Sequence, residues 1–415
     1  MNKKNNKGWR FKGNELKYVR EVINEGFASG TTGGMNIKLE EVFSKRFGAK
    51  YAITSNSGTS TLHQALLAFG IKQGDEVIIP ALTVIMCANA VLFTGATPIF
   101  ADVDPKTFLI DPKDIERKIN KRTKAIMAVN LYGQVCDMDA IMKIAKKYNL
   151  WVLEDCAQCY LGTDSKGRLG GTLGDVGSFS MQTSKHITTG DGGILITNNE
   201  NLAERMRKFG GLGFKHHRAN RRQIKKNRDL FQDPKYLRHD TIGYNYRLSE
   251  LGAAVGLAQV ERLSLFVKKR QQMARQYQEV IKDCRWLVPQ FLPKGARNSS
   301  WTFVVRYEGD KEIGVSWYDF RKKYMEYGGD GIYSAWALVY NEPAMQTLHK
   351  YGKYMPTIVG QGILHKGFLR HVDCPNAELV QPKLMQFTTN QNTDKERRVQ
   401  INALKKTIRY FESKL

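Results

Sequence analysis

The segment GSFSMQTSKHITTGDGG, residues 177–193, decides the fold of this chain and places its chemistry. Its first half is typical of a buried strand and its second half of a glycine-rich turn, so Lys185 lies between the two. Such a lysine can be held at the mouth of a pocket, where burial and nearby cations lower the amine pKa enough for imine chemistry. An exposed loop lysine is the alternative, because the chain has 64 lysine and arginine residues.

Two upstream segments carry groups that could act with such a lysine. The first is SNSGTS, residues 55–60, in which Gly58 and Thr59 open a predicted helix. They offer free backbone N–H groups, a hydroxyl and the positive end of the helix dipole, all of which suit a phosphate. A plain helix cap is the alternative for so short a sequence.

The second segment is EDCAQC, residues 154–159, in which Asp155 ends an apolar predicted strand. A carboxylate there is costly unless it has a partner, and a protonated pyridine nitrogen is a suitable one. An N-cap or a surface ion pair is the alternative. A phosphate site, a carboxylate and a lysine are together what a pyridoxal phosphate (PLP) enzyme requires. No second CxxC or spaced His pair accompanies Cys156 and Cys159, so we expect no metal site.

Strands and helices alternate from about residue 50 onward. Apolar strand-like segments are followed by segments with helical periodicity, such as 60–70 and 138–148. This βαβ order predicts a mainly parallel sheet covered on both faces, with ligands at the carboxyl ends of its strands. Residues 57–60, Asp155 and Lys185 should therefore converge on one edge. The predicted strands lie within residues 51–57, 75–80, 97–104, 124–130, 150–156, 177–183 and 192–199.

The length of 415 residues exceeds what a single core usually accommodates, which indicates two domains. We expect a large domain over residues 1–260 and a smaller one over residues 261–415. One long helix over residues 249–281 should link them. The second domain should contain a strand at 300–308 and helices near 316–327 and 394–413.

The cysteines and the first residues bear on location. Six cysteines show no disulfide framework and the N-terminus lacks the apolar core of a signal peptide, so we expect a cytoplasmic protein. The uncharged stretch 77–100 is long enough to raise a transmembrane alternative. Because Pro80, Gly95 and Pro98 interrupt it, we expect strand, helix and strand inside an α/β layer, and no membrane segment.

A net charge of +24 is the main anomaly of the composition. Nine lysine and arginine residues lie within residues 215–240, against three aspartates. This basic segment could be a solvated surface, a surface that steers an anionic substrate such as a sugar nucleotide, or a nucleic-acid contact. No zinc-finger or RNP-like motif accompanies it, so we expect no nucleic-acid partner.

Six motifs in order resemble the DegT/DnrJ/EryC1/StrS family of PLP-dependent sugar aminotransferases. The resemblance implies the aspartate aminotransferase (type I PLP) α/β fold, with a mainly parallel seven-stranded large domain and a smaller C-terminal α+β domain. It also implies a homodimer whose active sites lie at the subunit interface. The motifs are SNSGTSTLHQALLAFGIKQGDEVIIP (55–80), GATPIFADVD (95–104), LYGQVCDMDAI (131–141), LEDCAQ (153–158), the opening segment, and IGYNYRLSELGAAVGLAQVERL (242–263).

The resemblance also implies roles for particular residues. Lys185 corresponds to the Schiff-base lysine, Asp155 to the partner of the pyridinium nitrogen, and Gln158 to a neighbour of the cofactor ring. Asn245 corresponds to a phosphate ligand that one subunit lends to the other. The phosphate ligands within the subunit would be Gly58, Thr59 and Ser180.

Three positions depart from the family pattern. Val84 replaces the aromatic residue that usually stacks on the cofactor ring, a contact worth ~1 kcal/mol. Asp191 makes the usual GEGG a GDGG. Gln182 replaces a Tyr or His, as in some relatives that act on cyclitols or on sugars without a nucleotide.

The resemblance implies transfer of an amino group from glutamate or glutamine, through PLP, to a keto sugar. The sugar would be nucleotide-linked and would serve amino-sugar or surface polysaccharide biosynthesis. A free keto sugar, a sugar acid or a cyclitol is the alternative substrate. A PLP-dependent sugar dehydratase, whose family members replace the lysine with histidine, and a PLP-binding regulator are alternative functions.

Overall fold

The computed structural model describes residues 7–28, 33–223, 228–347 and 372–414. Their backbone forms one seven-stranded sheet and one four-stranded sheet, each with helices packed against it. The predicted α/β fold with a larger and a smaller sheet is confirmed.

The large sheet is built from the segments that the sequence predicts. Its strand order is β1-β7-β6-β5-β4-β2-β3, and only β7 runs antiparallel to its neighbours. The strands β2, β6 and β7 are buried along their whole length, as expected of a sheet covered on both faces. The strands are β1 (Tyr51–Ser55), β2 (Glu76–Pro80), β3 (Thr97–Ala101), β4 (Thr123–Val129), β5 (Trp151–Asp155), β6 (Val176–Ser180) and β7 (Gly193–Thr197).

Helices connect these strands and cover the sheet. The helices predicted within residues 60–70 and 138–148 are confirmed. The helices of this part are α1 (Glu15–Glu25), α2 (Gly34–Phe47), α3 (Gly58–Phe69), α4 (Met86–Phe93), α5 (Pro112–Lys118), α6 (Met138–Tyr148), α7 (Glu200–Gly210), α8 (Arg228–Gln232) and α9 (Glu250–Glu261).

The uncharged stretch 77–100 forms the predicted strand, helix and strand, namely the end of β2, α4 and the start of β3. Its helix has only eight residues. Among the described residues, no helix combines the length and the apolar character that crossing a bilayer requires.

The single helix predicted over residues 249–281 is wrong. The chain leaves helical geometry at Arg262, where φ is −104° and ψ is 6°, and a second helix, α10 (Leu263–Ile281), follows. The two helices pack against different parts of the protein: α9 packs on α1 and α2, whereas α10 continues to the small sheet. No glycine or proline lies between residues 257 and 281, so the sequence carries no helix-stop signal at the break.

The small sheet is antiparallel, with strand order β10-β11-β9-β8. The strand predicted at 300–308 and the helices predicted near 316–327 and 394–413 are confirmed. The strands are β8 (Leu287–Pro289), β9 (Thr302–Tyr307), β10 (Ile332–Ser334) and β11 (Leu384–Thr388). The helices are α11 (Gly309–Glu312), α12 (Trp317–Glu326), α13 (Pro343–Gln346), α14 (Pro375–Val380) and α15 (Asp394–Glu412).

Two hydrophobic cores meet along α10. Phe266, near its start, belongs to the core of the large sheet, whereas Tyr277, near its end, belongs to the core of the small sheet. Val339 and Ala377 come from the C-terminal part of the chain and still pack in the larger core. The division at residues 260 and 261 therefore stays a prediction.

Candidate active site

The predicted motifs converge at the carboxyl ends of neighbouring strands. Asp155 is the last residue of β5 and Ser180 the last residue of β6, and these two strands pair in parallel. Lys185 lies on the turn that follows β6. The start of α3 reaches the same edge, because a Cβ atom added to Gly58 would lie 2.7 Å from the Cβ of Ser180. The structure thus brings together the three segments that the sequence singled out.

The start of α3 forms a cradle that suits a phosphate. The Ser57 side chain accepts a hydrogen bond from the N–H of Ser60 at 3.0 Å, so the helix cap that the sequence suggested is present. The cap does not compete with a phosphate, because the N–H groups of Gly58 and Thr59 have no protein acceptor in the described part of the chain. The nearby Ser180 hydroxyl accepts only a long contact of 3.4 Å, from the N–H of Gln182. These groups fit an anion at the positive end of the helix.

Asp155 is a buried carboxylate with few donors. Its side chain is 3% exposed. One oxygen accepts from the N–H of Ala157 at 2.9 Å, and among the described residues the other has only the Cys87 thiol, at 3.5 Å. Burial raises the pKa of this carboxyl group, while the Ala157 N–H and the Lys185 charge oppose the rise. A surface ion pair is therefore excluded, and a buried cationic N–H group would supply the missing donor.

Lys185 has the environment that a reactive amine needs. The residue is half-buried, so the exposed-loop alternative is wrong. Its Nζ lies 4.9 Å from the centroid of the Trp301 ring. Burial lowers the pKa of the amine to about 8, with a further lowering from Arg270 and opposing effects from Asp155 and Cys87. A sizeable fraction of the amine is therefore neutral in mildly alkaline solution.

Gln182, one of the departures from the family pattern, shapes the turn before the lysine. Its main-chain carbonyl accepts from the N–H of Lys185 at 3.0 Å. Its side-chain oxygen accepts from the N–H of Ser184 at 2.8 Å and from the hydroxyl of the same serine at 2.7 Å. The glutamine side chain is thus engaged within its own turn.

Gln158 is buried three residues after the end of β5. Its side-chain oxygen accepts from the N–H of Tyr132 at 2.8 Å, and its carbonyl accepts from the Ser299 hydroxyl at 3.2 Å. These contacts hold the chain that follows Asp155. A position beside the cofactor ring stays a prediction for this residue.

Asn245 lies beside the cradle through its main chain. Its carbonyl accepts from the Asn56 side chain at 3.4 Å, and the next carbonyl, of Tyr246, accepts from the Asn56 N–H at 2.8 Å. The Asn245 side chain is exposed and makes no hydrogen bond within the described residues. The residue is thus placed near the cradle with its amide exposed, and a role as a phosphate ligand for a second subunit stays a prediction.

Sequence reasoning missed two residues of the site, Cys87 and Trp301. Cys87 lies on α4 and contacts Asp155, while its sulfur also lies 3.3 Å from the Thr83 hydroxyl. Trp301 precedes β9 of the small sheet, donates from Nε1 to the Ser184 carbonyl at 3.0 Å, and stacks on Trp336. Neither residue carries a local signal, because both reach the site through tertiary packing.

The other two departures have simple surroundings. Val84 is half-buried and packs against the large core. Asp191 is exposed.

Cys156 and Cys159 are buried free thiols, and burial raises the pKa of both. In the part of the chain that the structure describes, no group of three or more His, Cys, Asp or Glu side chains could hold a metal ion.

The basic segment is not a uniform charged surface. Arg221 is buried and binds both oxygens of Glu40, at 2.6 and 3.0 Å, beside a second buried arginine, Arg207. Although burial opposes it, the charges of Arg207 and Arg221 lower the pKa of Glu40 to about 2. The prediction that Arg221 lies on a surface that steers the substrate is therefore wrong, because this arginine is buried and its charge is paired with that of Glu40.

The neighbouring residue Arg222 is exposed and pairs with Glu41. Lys225 and Lys226, which belong to the same predicted steering surface, lie outside the described residues. A steering role for the remaining surface of the basic segment stays a prediction.

A cavity of about 840 Å³ lies apart from this chemistry. It opens between α10 and the strands β8 and β9, and Gln271, Phe291 and Arg306 are among its lining residues. Neither Lys185 nor Asp155 lines it. The candidate site is therefore identified by the carboxyl ends of the strands and by the environment of Lys185, and not by the size of a cavity.

Comparison with protein families agrees with this geometry. The sequence profile of the DegT/DnrJ/EryC1/StrS aminotransferase family matches residues 10–322 of the chain. The matched range contains every predicted site residue from Gly58 to Asn245.

Two curated proteins and one solved structure show the degree of similarity. The chain is 43% identical over 269 residues to the GDP-perosamine synthase of Escherichia coli O157:H7, a match that covers 65% of this chain and 69% of that protein. It is 41% identical over 272 residues to the GDP-perosamine synthase of Caulobacter vibrioides, covering 66% and 68%. The aminotransferase from Psychrobacter cryohalolentis superposes with a TM-score of 0.80 at 26% identity, over 96% of this chain and 97% of that one.

Proposed function

Because the chain belongs to the DegT/DnrJ/EryC1/StrS aminotransferase family and is a PLP-dependent sugar aminotransferase, we propose that it aminates a keto sugar carried on a nucleotide. The observation that carries the proposal is the half-buried Lys185 amine at the strand edge, next to Asp155 and the phosphate cradle. The nucleotide part of the proposal is supported by the similarity to two GDP-perosamine synthases.

The residues of the site fit the cofactor. Gly58, Thr59 and Ser180 would hold the phosphate, because the first two offer N–H groups with no acceptor among the described residues and the third offers a weakly engaged hydroxyl. Asp155 would accept the proton of the ring nitrogen, since one of its buried oxygens has only a thiol as donor within the described ranges. When bound, PLP supplies an electron sink for the electrons of the donor's Cα–H bond.

Lys185 performs the proton transfers in this account. Its Nζ accepts the proton that leaves the Cα of the amino-acid donor, and it can return a proton because its pKa of about 8 lies close to neutral pH. Asp155 keeps its negative charge beside the ring nitrogen throughout. We propose glutamate or glutamine as the donor, in keeping with the family resemblance.

We also propose a homodimer with shared sites, in which Asn245 completes the phosphate site of the other subunit. Large apolar side chains are exposed close to Asn245 in the chain: Ile242 is 89% exposed and Leu237 is 78% exposed. Tyr244 and Phe93, which flank His63 in an aromatic cluster, are exposed as well. An apolar surface of this kind supports burial against a second copy.

For location, we propose the cytoplasm. All six cysteines are free and buried, which suits a reducing compartment. The role would be in amino-sugar biosynthesis that supplies polysaccharides, in line with the name of a relative that is 36% identical over 302 residues, the spore coat polysaccharide biosynthesis protein SpsC of Bacillus subtilis.

The test uses the purified enzyme loaded with pyridoxamine phosphate. It is mixed in single-turnover experiments with nucleotide-linked keto sugars and with the same sugars without the nucleotide. We expect conversion of the cofactor to its aldehyde form with the nucleotide-linked sugar, at a kcat/KM at least tenfold above that of the free sugar. Equal or faster conversion of the free sugar would contradict the nucleotide part of the proposal.

A further inference from the structure

Two buried arginines contact the turn that carries Lys185. Arg10 donates to the carbonyl of Lys185 at 2.7 Å and to the carbonyls of Thr183 and His186, at 2.7 and 3.2 Å. Arg270, on α10, donates to the carbonyl of Ser184 at 3.2 Å. Each arginine is 7% exposed. The main chain on both sides of the reactive amine is therefore held by guanidinium groups.

These guanidinium groups have no counter-ion nearby. Within the described residues, neither arginine has a carboxylate at ion-pair distance. Arg270 also donates to the Lys185 carbonyl at 3.5 Å, to the Trp301 carbonyl at 2.7 Å and to the Thr389 hydroxyl at 3.1 Å. A buried charge with only neutral partners is unfavourable, and an amide side chain could donate to the same carbonyls at a smaller desolvation penalty. Hydrogen bonding to carbonyls therefore does not by itself explain why both positions carry a positive charge.

We propose that Arg10 and Arg270 are positioning residues for Lys185, which fix the turn that carries its amine and place two positive charges beside it. This inference rests on the proposed role of Lys185. A nearby positive charge disfavours the protonated form of the amine and so favours the neutral form that attacks a carbonyl and accepts a proton.

The other groups that face the amine come from three further elements. Asp155 of β5 and Cys87 of α4 act in the opposite direction and favour the protonated form. The Trp301 ring, which precedes β9, also attracts a cation. His186 contributes no charge, because burial lowers its pKa well below the usual range. Arg270 is thus the positive group that opposes Asp155 at the amine, and the guanidinium of Arg10 lies at the carbonyl of the same lysine.

The two arginines also link the lysine to distant parts of the chain. Arg270 connects the turn to the small sheet through Trp301. Arg10 belongs to the segment before α1, and its own carbonyl is held by Gln259 at 2.7 Å and by Arg262 at 3.0 Å. The N-terminal segment therefore helps to hold the turn that carries the Lys185 amine.

The experiment compares the holoenzyme with the variants Arg270→Gln, Arg270→Lys, Arg10→Gln and Arg10→Lys. Arg275→Gln is the matched control, because Arg275 lies on the same helix and is exposed. Three quantities are measured: the pH midpoint of the absorbance of the bound cofactor, the pH dependence of Lys185 labelling by an amine reagent in the cofactor-free protein, and the melting temperature.

We expect both glutamine variants to shift the two pH midpoints upward by about 0.5–1 unit, so that labelling near neutral pH slows roughly three- to tenfold. The lysine variants keep the charge and should keep midpoints near those of the parent, while kcat falls because the paired carbonyl contacts are lost. Arg275→Gln should leave every quantity unchanged.

Unmoved midpoints in both glutamine variants, whatever their melting temperatures, would overturn the proposal. Midpoints that shift as much in the lysine variants as in the glutamine variants would also overturn it, because geometry rather than charge would then be responsible. If one glutamine variant does not fold, the contrast between the glutamine and lysine variants at the other arginine still decides. If the parent enzyme does not turn over any keto sugar but the midpoints of the glutamine variants shift as expected, that result would bear on the proposed function and not on this inference.

Discussion

The thiol of Cys87 lies 3.5 Å from Oδ2 of Asp155. In the described part of the chain, it is the only hydrogen-bond donor to this oxygen. Burial raises the pKa of the thiol well above its ordinary value, and the neighbouring Asp155 charge raises it further. The thiol therefore stays protonated and acts as a weak donor. Asp155 is left as a buried carboxylate that can accept a stronger donor from a cationic ring.

Asp155→Asn should therefore keep most of the bound cofactor and lose most of the transamination rate, by a factor on the order of 10² or more. An amide cannot hold the proton of the ring nitrogen, whereas its size preserves the packing beside Cys87. The measurement is kcat of both half-reactions together with cofactor content. The exposed Asp139 provides the control as Asp139→Asn, and near-parental rates for the Asp155 variant would show that the carboxylate is structural.

Gly58→Ala should weaken cofactor binding because its new Cβ would lie 2.7 Å from the Cβ of Ser180 and would fill the cradle. We expect the dissociation constant of PLP to rise on the order of tenfold, which corresponds to the usual penalty of overpacking. Gly34→Ala is the matched control: Gly34 also begins a helix, and an added Cβ there would meet no atom closer than 3.9 Å. Equal affinities for both variants would contradict a phosphate site at the start of α3.

Glu40→Gln should destabilise the fold by about 3–5 kcal/mol, because it leaves the buried Arg207 and Arg221 without their carboxylate. Glu41→Gln is the adjacent control, and its exposed pair with Arg222 should be worth roughly 0–1 kcal/mol. The measurement is the free energy of unfolding in urea. Losses of equal size would contradict the buried role of the first pair.

Glu40 also makes the free energy of unfolding depend on pH, with a sign that follows from its lowered pKa. Its pKa is about 2 in the folded chain and 4.5 for the unperturbed side chain. Its contribution is therefore present above pH 4.5 and is lost as the pH falls toward 2. The unfolding free energy of Glu40→Gln should depend less on pH in that range than that of the parent.

A mixed dimer should reveal the shared phosphate site. Subunits with Lys185→Ala are combined with subunits with Asn245→Ala, each inactive or weakened alone. In a mixed dimer both defects fall in one site, so the other site is whole, and an equal mixture should recover about a quarter of parental activity. Absence of recovery, with subunit exchange confirmed by mass spectrometry, would count against the exchange of Asn245 between subunits.

The elements that the sequence predicted well are those with strong local patterns. The apolar strands from β1 to β7 and the motifs at their carboxyl ends could be assigned because parallel strands place their ends on one edge. Lys185 and Asp155 were found for the same reason.

What the sequence could not give are contacts between distant segments. Trp301 and Arg270 approach Lys185 from the small-sheet side, and Arg10 approaches from the N-terminus. The basic segment looked like one charged surface, but Glu40, some 180 residues earlier, buries Arg221. Such pairs carry no periodicity or spacing, so only the folded structure reveals them.

We expect Lys185 to hold the cofactor, and borohydride reduction of the yellow holoenzyme identifies the lysine that does so. Reduction fixes the cofactor to the lysine that carries it, and proteolysis with mass spectrometry then locates that lysine. We predict a single modified peptide containing Lys185, and no fixed cofactor in Lys185→Ala. Cofactor fixed to another lysine, or fixed equally in Lys185→Ala, would contradict the account.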